Sequence, residues 1–281
     1  MLLDGKTLSN KIKEELKAQV NSLIEKYASI PTLSIVVVGS NPASEIYVRN
    51  KIKTANSIGM NAEVVNLNEN VSMEELIKVV DNLNDNKRVN GIIVQLPLPR
   101  HLNEQVIIDR ISNIKDVDGF GLLNKGKLLA GEDSLRPATP YGIMKMLEAY
   151  NIELAGKNAL VIGRSNIVGK PIALMLLEKN ATVTIAHSKT KNIGEIAKNA
   201  DIIVVAVGKP KFLTADMVKE EAIIVDVGIN RDNGVLCGDV DFDEVSKKAS
   251  FITPVPGGVG PLTIVSLLEN TIKAYIKQKT N

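Results

Sequence analysis

Short apolar runs rich in β-branched residues alternate along this chain with longer segments of helical period. In the first half such runs occupy residues 33–39, 62–67 and 91–96, and in the second half residues 159–162, 182–186, 202–207 and 223–227. This alternation is typical of βαβ units. Because the runs are apolar at nearly every position, they indicate strands buried on both faces of parallel sheets that are covered by helices. The sequence therefore predicts an α/β fold with two α/β domains in tandem.

The predicted boundary between the domains is the polar, proline-bearing segment 133–140. Thr139 followed by Pro140 indicates the N-cap and the first residue of a helix. A last amphipathic segment, which begins at Pro261, is expected to be helical and to return to pack on the first domain, which makes that domain discontinuous. We therefore expect a first domain of residues 1–138, completed by a C-terminal helix at about 262–281, and a second domain of residues 139–261.

The composition excludes several classes of partner. Lys and Arg total 34 and Asp and Glu total 32, so the formal net charge of +2 is too small for a nucleic-acid or membrane surface. Trp is absent, and 5 Tyr and 4 Phe leave few platforms for stacking single-stranded nucleic acid. One cysteine, Cys237, forms no internal disulfide, and with only His101 and His187 beside it no structural metal site is expected. Small molecules are the expected ligands.

The expected location is the cytoplasm. Asp4 stands where a secretory signal would carry its apolar stretch, and no apolar run approaches the ~18 residues of a membrane span. A single cysteine also fits a reducing compartment.

A glycine loop follows the strand predicted at 159–162. The segment 163–171 reads GRSNIVGKP and precedes a helix-forming run at 172–179. Gly163 allows the backbone to approach a phosphate, and free N–H groups at the start of the helix favour an anion. The spacing is not G-x-G-x-x-G, so a plain turn between strand and helix is the alternative. The order of strand, loop and helix favours a dinucleotide site.

The end of the next strand favours NADP over NAD. Enzymes that select NAD place an acidic residue about 20 positions after the glycines, where it holds the ribose hydroxyls. Here the strand ends in AHSKT at 186–190, without an acid. Arg164, Ser165, Ser188 and Lys189 offer cations and hydroxyls that suit the 2′-phosphate of NADP. The alternative is that Arg164 and Lys189 are solvated loop charges.

A phenol and an amine lie four residues apart on a helix that GSNP at 39–42 is predicted to open, with Asn41 as N-cap and Pro42 as the first helical residue, and that is predicted to end near Gly59. Tyr47 and Lys51 share a face of this helix and can converge on one ligand near the carboxyl ends of the strands. A solvated Tyr/Lys pair is the alternative. Short-chain dehydrogenases also carry a Tyr-x-x-x-Lys pair, but theirs follows the glycine loop, whereas this pair precedes it.

Three further segments are expected around the cleft of the first domain, on the side that faces the dinucleotide site. Gln95 follows the predicted strand 91–94 at its carboxyl end, just before two prolines that stop the sheet. Asp116 and Asp118 lie in a tight turn, and TPVPGGVGP at 253–261 forms a loop before the last helix. Each segment alone is usually a turn. A second Asp-Val-Asp, at 239–241, is interpreted as a coincidence rather than a repeat.

Seven segments, in order, resemble the bifunctional methylenetetrahydrofolate dehydrogenase/cyclohydrolase family over nearly the full length. They are VGSNPASEIYVRNK at 38–51, GIIVQLPLP at 91–99, KDVDGF at 115–120, VIGRSNIVGKP at 161–171, VDVGIN at 225–230, GDVDF at 238–242 and TPVPGGVGPLT at 253–263. One departure is PATP at 137–140, where the family commonly has PCTP. The cysteine is not expected to be catalytic, so Ala138 changes little.

The resemblance implies two α/β domains, the second a Rossmann-like dinucleotide-binding domain, in a cytosolic homodimer formed through the cofactor domain. It implies NADP-dependent oxidation of 5,10-methylenetetrahydrofolate to the methenyl form, followed by hydrolysis to 10-formyltetrahydrofolate in the same cleft. Lys51 is the expected acid/base group, held by Gln95, while Tyr47 positions the substrate and Asp118, rather than Asp116, binds the pterin. The remaining expected contacts are Gly163, Arg164, Ser165, Ser188 and Ile229 to the dinucleotide, and Pro256 and Gly257 along the interdomain cleft.

The two reactions place different demands on the protein. Removal of a hydride from a methylene between two nitrogens mainly needs correct geometry, without an obligatory base. Hydrolysis needs proton transfer, for which the ordinary lysine pKa of about 10.4 must be lowered by burial. A dehydrogenase without hydrolase activity and a non-catalytic NADP-binding regulator are the alternatives. Lys51, Gln95 and Asp118 together speak against the regulator, while Lys51 also argues against the loss of hydrolysis.

Overall fold

A computed structural model describes residues 1–40, 42–232 and 234–280. The first half contains α1 (Gly5–Tyr27), β1 (Thr32–Val38), α2 (Pro42–Ser57), β2 (Asn61–Leu67), α3 (Met73–Asp85), β3 (Gly91–Val94), α4 (Glu104–Arg110), α5 (Leu122–Ala130) and α6 (Ala138–Ala149). The second half contains β4 (Asn158–Ile162), α7 (Gly169–Glu178), β5 (Thr182–Ala186), α8 (Ile193–Ala197), β6 (Ile202–Val205), β7 (Ile223–Asp226), β8 (Asn230–Asp232), β9 (Val235–Cys237), α9 (Phe242–Val245), β10 (Phe251–Ile252) and α10 (Val259–Thr280). In these described ranges, none of the helices has both the length and the apolarity needed to cross a bilayer.

The chain divides into two compact units. The three-stranded unit comprises Lys11–Ala138 and the chain from Ile264 onward, and the five-stranded unit comprises Met1–Asn10 and Thr139–Thr263. The break after residue 138 coincides with the one expected from sequence. The first ten residues do not follow the expected division, because the N–H of Leu3 donates to the carbonyl of Ile252 at 2.9 Å and ties them to the five-stranded unit.

Helix α6 begins two residues earlier than its sequence signals indicate. It starts at Ala138, so Thr139 lies inside the first turn instead of capping it. The Thr139 hydroxyl pairs with the hydroxyl of Thr263 at 3.0 Å. The boundary differs by two residues, which is within the usual variation of helix ends.

The sheet of the three-stranded unit has the order β2-β1-β3, with all neighbours parallel. Strand β3 is buried throughout and β1 is buried over its first five residues, as expected for a sheet covered by helices. Strand β2 is an edge strand and is partly exposed, so the expectation of burial on both faces is wrong for it. The chain places β2 on one side of β1 and β3 on the other. The strand order therefore changes direction at β1. Parallel sheets of this kind bind their ligands at such a position, beyond the carboxyl ends of the strands.

The C-terminal part of helix α10 packs within the three-stranded unit. The side-chain amide of Asn270 donates to the carbonyls of Val117 at 2.8 Å and Arg136 at 2.7 Å. The buried Tyr275 donates its hydroxyl to the carbonyl of Ser29 at 2.9 Å. Long-range contacts of this kind attach the last helix to the beginning of the same unit.

The sheet of the five-stranded unit is parallel with the order β10-β7-β6-β4-β5. Strand β6 is buried throughout, whereas β5 is an exposed edge strand and again departs from the expected burial. The strand order reverses between β4 and β6, because β5 lies on one side of β4 and β6 lies on the other. This reversal is the position at which Rossmann-like sheets bind dinucleotides.

Candidate active site

Lys51 and Gln95 meet at the carboxyl end of the three-stranded sheet. Lys51 is on α2, the helix that follows β1, and Gln95 comes directly after β3, the neighbour of β1. The N–H of Gln95 donates to the carbonyl of Val36 at 2.9 Å, which continues the sheet by one residue. Lys51 Nζ then donates to Gln95 Oε1 at 3.1 Å. The sheet thus brings together two side chains that the sequence separates by a strand and a helix.

The electrostatics of Lys51 and Asp118 are coupled. Burial lowers the pKa of Lys51 from its ordinary value, and the nearby charge of Asp118 opposes this change. Burial raises the pKa of Asp118 to about 6, although Lys51 acts to lower it, and Asp116 contributes to the rise. Desolvation thus moves the pKa values of an amine and a carboxyl group toward each other. Perturbed groups of this kind are frequent at catalytic sites.

Asp116 and Asp118 serve different purposes. Asp116 is almost completely buried, and its carboxylate accepts hydrogen bonds from the N–H groups of Phe120 at 3.1 Å and Gly121 at 2.8 Å. It also accepts a bond of 2.8 Å from the side-chain amide of Asn124. Because its oxygens are engaged in holding the turn, Asp118 is the better candidate for a ligand contact. The family resemblance implies the same preference, and the contact with the pterin stays a prediction.

Lys115 supports the same turn and was not among the site residues predicted from the sequence. Its buried ammonium group donates to the carbonyls of Leu83 at 3.0 Å, Asn84 at 2.7 Å and Asn86 at 2.8 Å, at the C-terminal end of α3. A cation is favourable at a helix C-terminus. The carbonyl of Lys115 accepts from the N–H of Ile92 in β3 at 2.8 Å. The only sequence signal was its place at the start of KDVDGF.

Tyr47 lies one helical turn before Lys51 on α2, as the spacing predicts. Its side chain is 39% exposed, and partial burial raises the pKa of its hydroxyl. The helix ends at Ser57, and Gly59 follows with a φ of +85°, in agreement with the predicted C-terminal glycine. The predicted N-cap, Asn41, lies outside the described residues.

The glycine loop after β4 requires two glycines because the backbone is crowded there. Gly163 has a φ of +137°, and a Cβ on it would lie 2.4 Å from the carbonyl oxygen of Ala206. A Cβ on Gly169 would lie 2.3 Å from the carbonyl oxygen of Gly163. The N–H of Gly163 donates to the carbonyl of Ala186 at the end of β5, at 2.9 Å. The loop therefore lies between the ends of β5 and β6.

Helix α7 starts at Gly169, three residues before the start expected from sequence. Ser165 Oγ accepts hydrogen bonds from the N–H groups of Val168 at 3.1 Å and Gly169 at 3.2 Å. These bonds satisfy N–H groups at the start of the helix. The start predicted from sequence, residue 172, had assigned this first turn to the loop.

The predicted dinucleotide contacts follow three strands of one sheet. Arg164 and Ser165 follow β4, Ser188 follows β5, and Ile229 follows β7, so all lie beyond carboxyl ends of parallel strands. Arg164, Ser165 and Ser188 are exposed, and Ile229 is 50% exposed in spite of its apolar side chain. Their contacts with a dinucleotide stay predictions.

Pro256 and Gly257 lie between β10 and α10 in the five-stranded unit. Pro256 is exposed and follows a cis peptide bond, and Gly257 has a φ of +106°. The carbonyl of Gly257 accepts from the N–H of Lys6 at 2.9 Å. Their expected contact with the substrate stays a prediction.

The two Asp-Val-Asp segments, which were interpreted as a coincidence, have one structural feature in common. The first aspartate of each, Asp116 and Asp239, is buried and accepts backbone N–H groups of a neighbouring loop. A buried carboxylate in a tight turn accepts hydrogen bonds from backbone N–H groups that would otherwise be left without a partner.

Across the described ranges, no three His, Cys, Asp or Glu residues come together in a way that could hold a metal ion.

Comparisons with known proteins agree with this geometry. The 52% identical "Bifunctional protein FolD" of Streptococcus thermophilus aligns over 278 residues, covering 99% of this chain and 98% of that protein. The crystal structure of bifunctional FolD, a methylenetetrahydrofolate dehydrogenase/cyclohydrolase from Campylobacter jejuni, superposes with a TM-score of 0.97 at 50% identity and covers 99% of both chains. The Trypanosoma brucei enzyme, solved with NADP cofactor and inhibitor, has a TM-score of 0.96 at 35% identity and covers 100% of this chain and 99% of its own.

Two family models cover most of the sequence. The model described as tetrahydrofolate dehydrogenase/cyclohydrolase, catalytic domain, matches residues 3–118, which include Lys51, Gln95 and Asp118. The model described as tetrahydrofolate dehydrogenase/cyclohydrolase, NAD(P)-binding domain, matches residues 137–279, which include the glycine loop at Gly163. With the high identity of full-length relatives, these matches show that the chain belongs to the tetrahydrofolate dehydrogenase/cyclohydrolase family.

Proposed function

We propose that this protein oxidises 5,10-methylenetetrahydrofolate to 5,10-methenyltetrahydrofolate with NADP and then hydrolyses the product to 10-formyltetrahydrofolate. Family membership supports the pair of reactions. The observation that carries the proposal is the cluster at the end of the three-stranded sheet. There Lys51 is held by Gln95 and coupled to Asp118, and burial lowers its pKa. A regulator without catalysis has no need of an amine with a lowered pKa.

The oxidation step needs little acid/base chemistry from this chain. A hydride leaves the methylene carbon, and the lone pairs of the two adjacent nitrogens stabilise the resulting cation. The protein therefore has to orient the folate, for which Tyr47 supplies an aromatic face and Asp118 a carboxylate that accepts two parallel hydrogen bonds from the pterin. NADP, when bound, supplies the nicotinamide ring that accepts the hydride.

The hydrolysis step needs a group that moves protons. Water adds to the methenyl carbon and loses a proton; the bond from that carbon to the ring nitrogen then breaks as the nitrogen is protonated and the added hydroxyl loses its proton to become the formyl oxygen. Lys51 Nζ is the proposed acceptor and donor of these protons. Its lowered pKa makes the neutral amine more available, and its hydrogen bond to Gln95 fixes its orientation.

The residues of the five-stranded unit fit NADP. Gly163 and Gly169 leave space where side chains would collide, so the loop backbone is free to approach a pyrophosphate. Arg164 and Lys189 are exposed beside the ends of β4 and β5, where cations suit a 2′-phosphate. The Trypanosoma brucei relative was solved with NADP.

A paired assay tests the proposal and separates it from its alternatives. Purified protein is given methylenetetrahydrofolate with NADP or NAD, and the absorbance of the methenyl form and the amount of formyl product are followed separately. We expect both products, with NADP preferred. Methenyl product without formyl product identifies a dehydrogenase lacking hydrolase activity, and NADP binding without either product identifies a regulator.

We further propose a cytosolic homodimer formed through the five-stranded unit. The family resemblance and the exposed edge strand β5, with Ile185 42% exposed, support self-association through this unit. A single free cysteine, Cys237, fits a reducing compartment. Light scattering after size-exclusion chromatography measures the oligomeric state, and a monomer mass at micromolar concentration would contradict the dimer.

A further inference from the structure

Two buried carboxylates hold the loops that follow strands β6 and β7 in the five-stranded unit. Asp226 is the last residue of β7, and Asp239 follows β9 in the segment that leads to α9. Asp226 is 3% exposed and Asp239 is fully buried. Neither carboxylate was predicted from the sequence as a site residue.

Asp239 binds two different loops at once. Its carboxylate accepts from the consecutive N–H groups of Val207 at 2.7 Å, Gly208 at 3.0 Å and Lys209 at 2.8 Å, in the loop after β6. It also accepts from the side-chain amide of Asn230 at 2.8 Å, the first residue of β8, at the end of the loop that follows β7. Hydrogen bonds to a charged acceptor are stronger than neutral ones, so the four bonds fix the relative position of the two loops.

Asp226 fixes Asp239 in turn. Its carboxylate accepts from the N–H groups of Gly228 at 2.9 Å, Asp239 at 2.9 Å and Val240 at 3.0 Å. The surrounding backbone is close enough to exclude side chains: a Cβ on Gly228 would lie 2.3 Å from Asp239 Oδ1, and one on Gly238 would lie 1.8 Å from Asp226 Oδ2. The two carboxylates and the two glycines therefore form one packed network.

The two loops lie at the position where the sheet binds a dinucleotide. Strand order reverses between β4 and β6, and Gly163 of the glycine loop is in close contact with Ala206 at the end of β6. The loop held by Asp239 starts at the next residue, Val207. Since a dinucleotide crosses this reversal, one half of it lies over β4 and β5 and the other half over β6 and β7.

Ile229 is the residue on which the network converges. Its chain neighbours on both sides are held by a carboxylate, because the N–H of Gly228 donates to Asp226 and the side chain of Asn230 donates to Asp239. The isoleucine itself is 50% exposed. An exposed apolar side chain on a fixed backbone is suited to contact a flat ring such as nicotinamide.

We propose that Asp226 and Asp239 are positioning residues for NADP, which hold Ile229 and the loop at Val207 in the geometry that binds the half of the dinucleotide beyond the glycine loop. The inference rests on the proposed function, because it names further residues for the oxidation step. Both act through the loops, without contact with the substrate. The hydrolysis step transfers no hydride, so it should not depend on this network.

The test uses the full-length protein with two variants and a matched control. Asn230→Ala removes one bond to Asp239 and leaves the buried carboxylate with its three backbone donors. Asp239→Asn keeps the shape but turns an amide N–H toward backbone N–H groups. Asp243→Asn makes the same chemical change at an exposed position of α9 and serves as the control.

Binding of NADPH is measured by its own fluorescence, and both activities are assayed beside the thermal midpoint. We expect Asn230→Ala to raise the Kd for NADPH about tenfold, which is the effect of losing one charge-assisted hydrogen bond. Dehydrogenase kcat/KM for NADP should fall by the same factor, while cyclohydrolase activity and the control stay at wild-type values. Asp239→Asn should have a larger effect in the same direction.

Two results would overturn the proposal. One is an unchanged Kd for NADPH in Asn230→Ala, which decides the question even where Asp239→Asn does not fold. The other is an equal loss of both activities, which would indicate a purely structural role. A wild-type protein with neither activity would instead contradict the proposed function, so the two failures are distinguishable.

Discussion

Lys51 Nζ donates a hydrogen bond to Gln95 Oε1 at 3.1 Å and thereby joins helix α2 to the end of strand β3. The acceptor is a neutral amide. A carboxylate in the same place would favour the charged form of lysine, whereas an amide orients the amine without opposing the lowering of its pKa by burial. The amide is itself fixed, because its nitrogen donates to the carbonyl of Leu96 at 2.8 Å. The pair therefore holds the amine in a fixed orientation while burial keeps its pKa below the ordinary value.

Replacement of Lys51 by Met should separate the two activities. Methionine keeps much of the apolar stem and removes the amine, so cyclohydrolase activity is expected to fall by about 10²–10⁴-fold, the usual contribution of a general acid or base. Part of the dehydrogenase activity should remain because hydride transfer needs no base. The separate assays of methenyl and formyl products measure both. Lys53→Met, at an exposed position of the same helix, is the control, and equal retention of both activities would refute the role of Lys51.

Replacement of Gln95 by Glu should shift the pH dependence of hydrolysis. A carboxylate beside Lys51 raises the pKa of the amine by attraction, so less neutral amine is present at pH 7. We expect the pH profile of cyclohydrolase activity to move to higher pH, with partial recovery of the rate in alkaline buffer. The exposed Gln19→Glu on α1 controls for the added charge. An unshifted profile would show that the amide does not tune Lys51.

Acidification should weaken folate binding through Asp118. Burial raises the pKa of this carboxyl group to about 6, so it becomes protonated as the pH falls through that value and loses its charge. A neutral acid is a poorer acceptor for the paired donors of a pterin. The KM for the folate substrate is therefore expected to rise below about pH 6, and Asp118→Asn should remove this pH dependence. A wild-type KM that stays constant between pH 7 and pH 5 would contradict the assignment.

The same carboxyl group should lower the stability of the folded protein at high pH. Because its folded pKa of about 6 exceeds the ordinary value of 3.8, the folded state binds the proton more tightly than the unfolded state. The resulting stabilisation is complete below the ordinary value and is lost as the pH rises through about 6. Asp118→Asn resembles the protonated acid, so at pH 8 its free energy of unfolding should exceed that of wild type by about 1–3 kcal/mol.

Urea unfolding followed by circular dichroism at pH 8 and near pH 4 measures this difference. It should shrink toward zero at the lower pH, where wild-type Asp118 is itself protonated. Asp243→Asn, at an exposed position, should show no such pH dependence. If Asp118→Asn were less stable than wild type at pH 8, the carboxylate would be stabilising and the argument from burial would be wrong.

Arg164 should determine the preference for NADP over NAD. It is exposed directly after Gly163, where a guanidinium group is able to pair with a 2′-phosphate. Arg164→Ala is expected to raise the KM for NADP about tenfold or more while leaving the KM for NAD unchanged, because NAD lacks that phosphate. Lys247→Ala removes a cation from an exposed position of the same unit as the control. An unchanged affinity for NADP would count heavily against the prediction.

Local patterns in the sequence were sufficient for much of the fold. Short apolar runs rich in β-branched residues predicted seven strands, with bounds correct to within about two residues, because strands are the usual structure of such runs. They did not identify β8, β9 and β10, which have two or three residues each and too little periodicity to detect. Edge strands β2 and β5 were predicted in the correct place but with the wrong burial, because a strand's neighbours are not encoded in its own pattern.

By itself, the sequence determined the α/β class, the helical face shared by Tyr47 and Lys51, and the glycine loop at Gly163, because each depends on residues close together in the chain. The tertiary structure decided what depends on distant segments. The pairing of β1 with β3 brings Gln95 to Lys51, and the bond from Leu3 to Ile252 assigns the first residues to the five-stranded unit. It also decided which aspartates hold turns and which one is coupled to Lys51, since desolvation and hydrogen-bond partners arise only when the chain is packed.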